Sequence, residues 1–477
     1  MTSERNVTLT FLGAAGTVTG SRFLLTVGAG EHTQRRILVD AGQFQGQREW
    51  RRKNWEEFPV DPRSIDTIIL THAHLDHCGY LPALVRRGFR GLVLCTEGTA
   101  RLAEIVLRDA GKLQEQDATY AREHGYSKHE PPLPLFDSDD VEDTIPLLHS
   151  VPLDEDIELE DGITARWVRA GHILGSASVR IEMPETSVLF SGDLGRATHP
   201  ILKPRVTPQG AEWVVMESTY GDREHPEPEE PHAEMAAAIR RTVARGGQVL
   251  IPAFAIDRTP LVLHALTAMY REGRIPDVPV FVDSPMGLRA LAVYADTRLD
   301  ELITPLTTND FLGMPRLEEA MSSNDSKAIN RQTEPCIIVS SSGMLEGGRV
   351  LHHLKRLVVD PRNTIILTGY QSVGTRGAEL LDGAREVKVH GKYYRARAEI
   401  LSDGEFSVHA DASDLMDWVS ALEPAPAAVF AVHGEPDVAR VFANRLEEEL
   451  DCLAVAPRYE EVVLLAGNGA AFEPMDR

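Results

Sequence analysis

The sequence predicts a mixed α/β protein built as more than one domain. Three observations predict it. Short apolar runs divided by Gly-rich turns fill the first part, strands and helices alternate from about Trp213, and β character returns near His390. At 477 residues the chain has room for two or three domains and more than one sizeable core.

The elements follow in order. Residues 7–12, 23–27 and 37–40 read as short strands, and 67–71 as a buried strand that stops at a cluster of histidines. Residues 81–85 and 100–113 read as helices, and the Pro- and acid-rich stretches 130–134 and 137–143 as surface loop. Strands are expected at 164–168, 177–182 and 187–190. The alternating stretch starts with a strand at 213–216 and a helix at 232–244, stopped by Gly246-Gly247. Strands at 249–251, 280–282, 336–339 and 364–367 then alternate with helices at 259–271 and 350–357, as in a parallel sheet. A helix at 436–450 comes last.

No run of about 18 apolar residues exists, so no membrane span is expected. The first residues lack the charged, apolar and cleavage regions of a signal peptide, and residence in the cytoplasm is expected. Cys78, Cys95, Cys336 and Cys452 form no C-x-x-C pair and read as buried, reduced thiols. The net charge of −23 argues against broad non-specific nucleic-acid binding, which needs a basic surface. It does not exclude a nuclease, because a local basic groove or metal ions can hold phosphate.

The chemistry concentrates in Thr71-His72-Ala73-His74-Leu75-Asp76-His77. Three imidazoles and a carboxylate fall within six residues at the end of an apolar strand. Zinc accepts both ligand types. A turn after the strand can aim His72 and His74 together, with Asp76 and His77 at a second point nearby. H-x-H-x-D-H is far more specific than a lone histidine pair.

This string resembles the signature of the metallo-β-lactamase superfamily. Other stations of that family follow in order. Asp40 in Leu38-Val39-Asp40-Ala41-Gly42 resembles the buried acidic residue that orients the site. His172 in Gly171-His172-Ile173-Leu174-Gly175 resembles the third histidine motif, and Asp193 in Ser191-Gly192-Asp193-Leu194-Gly195 the bridging aspartate. Glu217-Ser218-Thr219-Tyr220-Gly221, Phe406-Ser407-Val408-His409-Ala410-Asp411 and Ala431-Val432-His433-Gly434-Glu435 resemble the three motifs of the β-CASP branch of nucleic-acid-processing nucleases. The second motif departs slightly, with Val408 where many relatives have alanine or serine. The resemblance covers essentially the whole chain. It is closest to short bacterial and archaeal relatives of the endonuclease in eukaryotic pre-mRNA 3′-end processing.

The resemblance implies an αββα sandwich with an inserted β-CASP α/β domain. The sandwich is expected over residues 1–208 and 389–477, and the insertion over 209–388. It implies two zinc ions per chain, zinc being favoured over manganese by the histidine-rich sites. One is expected on His72, His74 and His172, the other on Asp76, His77 and His433, with Asp193 bridging and Asp40 behind the ligands. Asp76 is also expected to orient the attacking water. His409 is the expected general acid toward the leaving oxygen, with Glu217 fixing its orientation. In this family a histidine at the position of His433 goes with RNA processing and a valine with DNA repair.

RNA is therefore the expected substrate, cut endonucleolytically with exonucleolytic trimming also entertained. The competing expectation is a metallohydrolase of small phosphodiesters or esters, to which the acidic charge gives some weight. Small-residue turns after apolar strands suggest Ser341, Ser342, Gly343 and Ser407 as phosphate contacts. Arg48, Arg51, Arg52 and Lys53 flank Trp50 and Trp55, with a solvated helix as the plainer reading. His390 reads as structural, and His352 and His353 as surface histidines. A homodimer is the assembly entertained.

Overall fold

The computed structural model describes residues 6–28, 34–124, 132–225, 228–450 and 452–466. The chain divides into two compact units, Met1–Glu224 with Val408–Arg477, and His225–Ser407.

The first unit holds two seven-stranded sheets among the described residues. One runs in the order Val462–Ala466, Asn6–Phe11, Phe23–Gly28, Arg35–Val39, Thr67–Ile69, Leu92–Thr96, Leu148–Val151. The other runs Leu453–Val455, Ala428–Val432, Trp213–Glu217, Ser187–Phe190, Ala177–Glu182, Thr164–Arg169, Asp156–Glu158. Alternation explains how they face each other. In Asn6–Phe11 every second residue (Val7, Leu9, Phe11) is buried. These join Leu25 and Val39 of the first sheet and Trp167, Val179, Phe190 and Phe430 of the second in one core.

Helices cover the outer faces. Leu189, Val214, Met216 and Val429 meet Leu415 and Trp418 of the helix Ala412–Ser420, and Phe442 and Leu446 of the helix Pro436–Leu450. The helix Glu97–His124 packs on the strands Leu92–Thr96 and Leu148–Val151. The layering is the expected αββα sandwich.

The unit His225–Ser407 is built on a six-stranded parallel sheet ordered Leu317–Glu319, Val280–Asp283, Ile337–Ser340, Val249–Pro252, Thr364–Leu367, Glu399–Ser402. Its four inner strands are buried at every residue, as a parallel sheet covered on both faces requires. A separate hairpin joins Glu386–Val389 to Lys392–Arg395. Its two turn residues, His390 and Gly391, have φ of 47° and 78°. A two-residue turn of this kind needs positive φ at both positions, which gives His390 a backbone role.

Two expectations are corrected. Residues 137–143 are not loop. Ser138–Thr144 is a helix whose N-cap, Asp137, accepts from the Asp140 N–H while Asp140 accepts from the Asp137 N–H. Of the loop 130–134, Glu130 and Pro131 lie outside the described residues. His353 is not at the surface. It sits on the apolar stripe Val350, His353, Leu354, Leu357 of the helix Val350–Leu357 and is fully buried, with Nε2 2.7 Å from Asp283 Oδ2. The helix expected at 100–113 runs longer, over Glu97–His124.

The four cysteines are free thiols, three of them buried. Burial pushes the Cys95 and Cys336 thiols up to about 12, and Cys78 well above the usual thiol value, so none of these three is a ready thiolate. Among the described residues no helix is long and apolar enough to cross a membrane.

Candidate metal centre

The site residues of the first unit sit where strands end. Asp40 follows Arg35–Val39, and His72 and His74 follow Thr67–Ile69. Asp76 and His77 lie on the short helix Leu75–Cys78. His172 follows Thr164–Arg169, Asp193 follows Ser187–Phe190, and His433 follows Ala428–Val432. Glu217 ends its own strand. Strand ends release side chains from the ladder without burying them between the sheets, which is where α/β proteins gather ligand groups.

Two clusters result. In the first, His74 Nδ1 lies 3.1 Å from His72 Nε2 and 3.2 Å from His172 Nε2. In the second, His433 Nε2 lies 3.3 Å from His77 Nε2 and 3.4 Å from Asp76 Oδ2. Asp193 faces both, with Oδ2 3.4 Å from His72 and 3.6 Å from His172, and Oδ1 3.3 Å from His77 Nε2. Each cluster gathers its ligand atoms within 4.8 Å of one another.

The outer contacts set which ring nitrogen faces inward. Asp40 is buried and accepts from the Thr71 N–H and hydroxyl, each at 2.8 Å. Its Oδ2 is also 2.7 Å from His77 Nδ1, so that nitrogen carries the proton and Nε2 presents a lone pair to the cluster. The Thr219 hydroxyl donates to the His433 carbonyl at 3.0 Å. Its oxygen can then accept from His433 Nδ1 at 3.1 Å, which again leaves Nε2 free. Thr71 and Thr219 stand inside the quoted motifs, yet nothing in their spacing marks them as tautomer-setting groups.

Electrostatics agree. Burial, reinforced by the facing imidazoles, drives His72 and His172 well below the usual histidine range, so both are neutral. Burial alone would raise Asp193, but the facing histidines, His433 and His77 foremost, outweigh it and hold the carboxyl well below its usual value. Asp193 Oδ1 is buried and accepts no well-directed hydrogen bond among the described residues, although His77 Nε2 is near. Burial alone would lower His77, but Asp193 and Asp40 outweigh it and raise it well above the usual histidine value, so it carries a second proton that a bound ion would displace. Neutral His72 and His172, an ionised carboxylate and an unsatisfied buried oxygen are donors that fit divalent zinc.

His409 stands beside the first cluster, its ring 4.4 Å from that of His172. The segment around it pairs with the one after Asp193. Arg196 N–H donates to the Val408 carbonyl at 3.0 Å, and Ala410 N–H to the Leu194 carbonyl at 2.7 Å. Gly195 lies in that pairing, and a Cβ there would fall 1.9 Å from the Gly171 carbonyl oxygen. Glu217 is buried and lies 3.2 Å from His409 Nδ1 while accepting from the Leu194 N–H at 2.6 Å. His409 Nε2 therefore turns toward Asp193, 4.0 Å away. Burial alone would lower this imidazole, but Glu217 outweighs it with help from Asp193 and Asp76, and the pKa rises above the usual value.

One supporting residue carried no sequence signal. Arg22 is buried without a carboxylate partner among the described residues. It donates to the Gly42 carbonyl at 2.7 Å and Asn54 Oδ1 at 3.1 Å, and lies 3.9 Å from the Tyr80 ring centre. Gly42 packs so tightly on the helix Leu75–Cys78 that a Cβ would fall 1.7 Å from the Asp76 carbonyl oxygen. Arg22 thus braces the loop on which Asp76 and His77 rest. Trp50 stacks on Phe44 with ring centres 5.4 Å apart, whereas Arg48, Arg51, Arg52 and Trp55 are exposed.

The expected phosphate contacts belong to the other unit. Ser341, Ser342 and Gly343 follow the inner strand Ile337–Ser340, and Ser341 Oγ is 3.1 Å from Ser284 Oγ. Ser342 Oγ accepts from the Glu346 N–H at 3.2 Å. Ser407 closes the turn Gly404–Phe406, its N–H donating to the Gly404 carbonyl at 3.0 Å.

Comparison with known proteins fits this geometry. Residues 29–251 match the metallo-beta-lactamase superfamily, 260–380 the Beta-Casp domain and 393–457 the Zn-dependent metallo-hydrolase RNA specificity domain. A ribonuclease of Thermus thermophilus is 38% identical over 432 residues, covering 89% of this chain and 92% of that protein. The chain belongs to the β-CASP family of the metallo-β-lactamase superfamily. The β-CASP chain is also 31% identical to an RNase J-like protein of Methanocaldococcus jannaschii, over 88% of its own length and 92% of the relative's. It is 32% identical to transcription termination factor FttA of Methanosarcina mazei, over 93% of its length and 69% of the relative's. A crystal structure of a protein of unknown function from Enterococcus faecalis shares the fold, with a TM-score of 0.51, 14% identity, and coverage of 96% and 100%.

Proposed function

We propose that this β-CASP protein is a zinc-dependent ribonuclease that holds two metal ions per chain and hydrolyses RNA phosphodiester bonds, endonucleolytically and with exonucleolytic trimming. The observation that carries the reading is Asp193, which offers one oxygen to each of two histidine clusters while His409, backed by Glu217, stands beside it. The names of the relatives, a ribonuclease and an RNase J-like protein, support RNA as the polymer.

His72, His74 and His172 would hold one ion and Asp76, His77 and His433 the other, with Asp193 shared. Ions bound there supply Lewis acidity toward the scissile phosphate and lower the pKa of water. The chain's own groups do the rest. Asp40, Thr71 and Thr219 keep the inward nitrogens unprotonated, and Asp76 orients the attacking water. His409, with Nδ1 held by Glu217 and Nε2 turned inward, delivers a proton to the leaving 3′-oxygen. Ser341, Ser342, Gly343 and Ser407 are proposed to bind substrate phosphates.

The test is metal analysis of the purified chain together with cleavage of labelled single-stranded RNA and matched DNA, beside His409→Ala. About two zinc per chain and RNA cleavage that falls about 10²–10⁴-fold in His409→Ala, with metal content kept, are expected. No cleavage of RNA, with turnover of a small phosphodiester instead, would overturn the reading.

A further inference from the structure

The hairpin Glu386–Val389/Lys392–Arg395 breaks the charge pattern of the protein. Residues 385–397 hold five basic side chains (Arg385, Lys388, Lys392, Arg395, Arg397) and one acidic, Glu386, in a chain of net charge −23. All five are exposed. None has a carboxylate partner among the described residues, although arginines elsewhere in the chain commonly do, as Arg241 and Arg245 do with Glu399.

The pleat sorts the hairpin into two faces. Val387 and Val389 are buried and join the core of their unit, with Tyr394 packed against it. The same strand's other face carries Glu386 and Lys388, and the register sets Arg395 opposite Glu386 and Tyr393 opposite Lys388. Tyr393 is 66% exposed, more than any other large apolar side chain among the described residues. Lys388 Nζ lies 5.6 Å from its ring centre. The hairpin is anchored from beneath by Arg376, whose Nε donates to the Lys388 carbonyl at 2.7 Å.

An exposed tyrosine costs solubility and a concentration of unpaired cations costs repulsion, so the face is poorly explained as mere surface. Its parts match the two chemistries of a single strand of nucleic acid: cations for phosphates and a planar ring for an unstacked base. We infer that the outward face of this hairpin, with Lys388, Arg395 and Tyr393, together with Lys392 exposed beside its turn, is a docking surface for single-stranded RNA. The inference rests on the ribonuclease reading above. It also addresses how a chain of net charge −23 grips a polyanion: by confining positive charge to a local platform.

The test measures binding of a labelled single-stranded RNA across a salt series to the full chain carrying His409→Ala, so that the strand is not consumed. The triple substitution Lys388→Gln, Lys392→Gln, Arg395→Gln is expected to weaken binding and to reduce the slope of log affinity against log salt by about 2, since each phosphate contact contributes about 0.7 on a single strand. Tyr393→Ala is expected to weaken binding about tenfold with the slope unchanged. The charge-keeping triple Lys388→Arg, Lys392→Arg, Arg395→Lys is expected to retain affinity, which separates charge loss from misfolding. RNA cleavage by the unaltered chain is measured in parallel. Cleavage there, with unchanged affinity and slope in the neutralised triple, would overturn the docking surface alone. No binding and no cleavage by the unaltered chain would overturn the ribonuclease reading and this inference with it. A change in oligomeric state of the neutralised triple without a change in RNA affinity would reassign the face to self-association.

Discussion

Asp40 acts through His77. Its two oxygens take the Thr71 N–H and hydroxyl and the His77 Nδ1 proton, so the carboxylate decides which imidazole nitrogen is available to the cluster. Asp40→Asn is expected to keep the fold and lower zinc affinity about 10–100-fold, read by competition with a chromophoric chelator. An unchanged affinity would count against the tautomer argument. A second buried carboxylate governs the other unit. Asp283 accepts from Ser326 at 2.6 Å, His353 at 2.7 Å and Arg349 at 2.8 Å. Burial alone would raise its pKa, but those hydrogen bonds outweigh it and hold it below the usual carboxylate value. A depressed folded pKa gives stability that is fully present above the unfolded value of about 3.9 and is lost as pH falls through the folded one. Stability of this unit to urea is therefore expected to fall as pH drops below about 4 by a margin that Asp283→Asn removes, while that variant loses about 3 kcal/mol at pH 7. Equal acid sensitivity in both proteins would refute the assignment. The clustered histidines were legible because their spacing is specific. Arg22 was not, because a lone arginine before an apolar strand announces nothing about the aromatic faces and carbonyl that enclose it.

At the scale of elements, strands with an alternating or continuously apolar pattern were legible, and their ends fell within a few residues of the structure. Ser138–Thr144 was not, because Asp and Glu crowd it and composition there reads as loop. The signal lay in the D-x-x-D spacing of Asp137 and Asp140, a reciprocal cap. Asp137→Ala is expected to cost about 1 kcal/mol, read as a lowered melting temperature, and a shift indistinguishable from zero would show that tertiary packing alone holds this helix. His353 was misread for a related reason. Histidine is commonly a surface residue, but its place on the stripe of the helix Val350–Leu357 was the better guide. Short strands such as Asp156–Glu158 and Leu453–Val455 escaped notice because three residues carry too little periodicity.

For the whole molecule, each unit has its own apolar core. All the proposed ligands belong to the first. Calorimetry is expected to resolve two transitions. Chelation should lower only the one that belongs to the first unit, and loading with zinc at 100 times its dissociation constant should restore about 2.7 kcal/mol. Chelation that moved both transitions equally would mean that the units melt together. The αββα layering was legible only through the family motifs, since each sheet takes in strands from beyond the inserted unit and no local pattern reports that pairing.

That pairing has a consequence in time. The strand Asn6–Phe11 waits for Val462–Ala466 at its open edge, and Trp213–Glu217 waits for Ala428–Val432. His409 and His433, the proposed proton donor and the last proposed ligand, are synthesised only after the whole unit His225–Ser407. A nascent chain emerging amino-terminus first carries six of the seven proposed ligands early, yet the proposed site stays incomplete until His433 has been made.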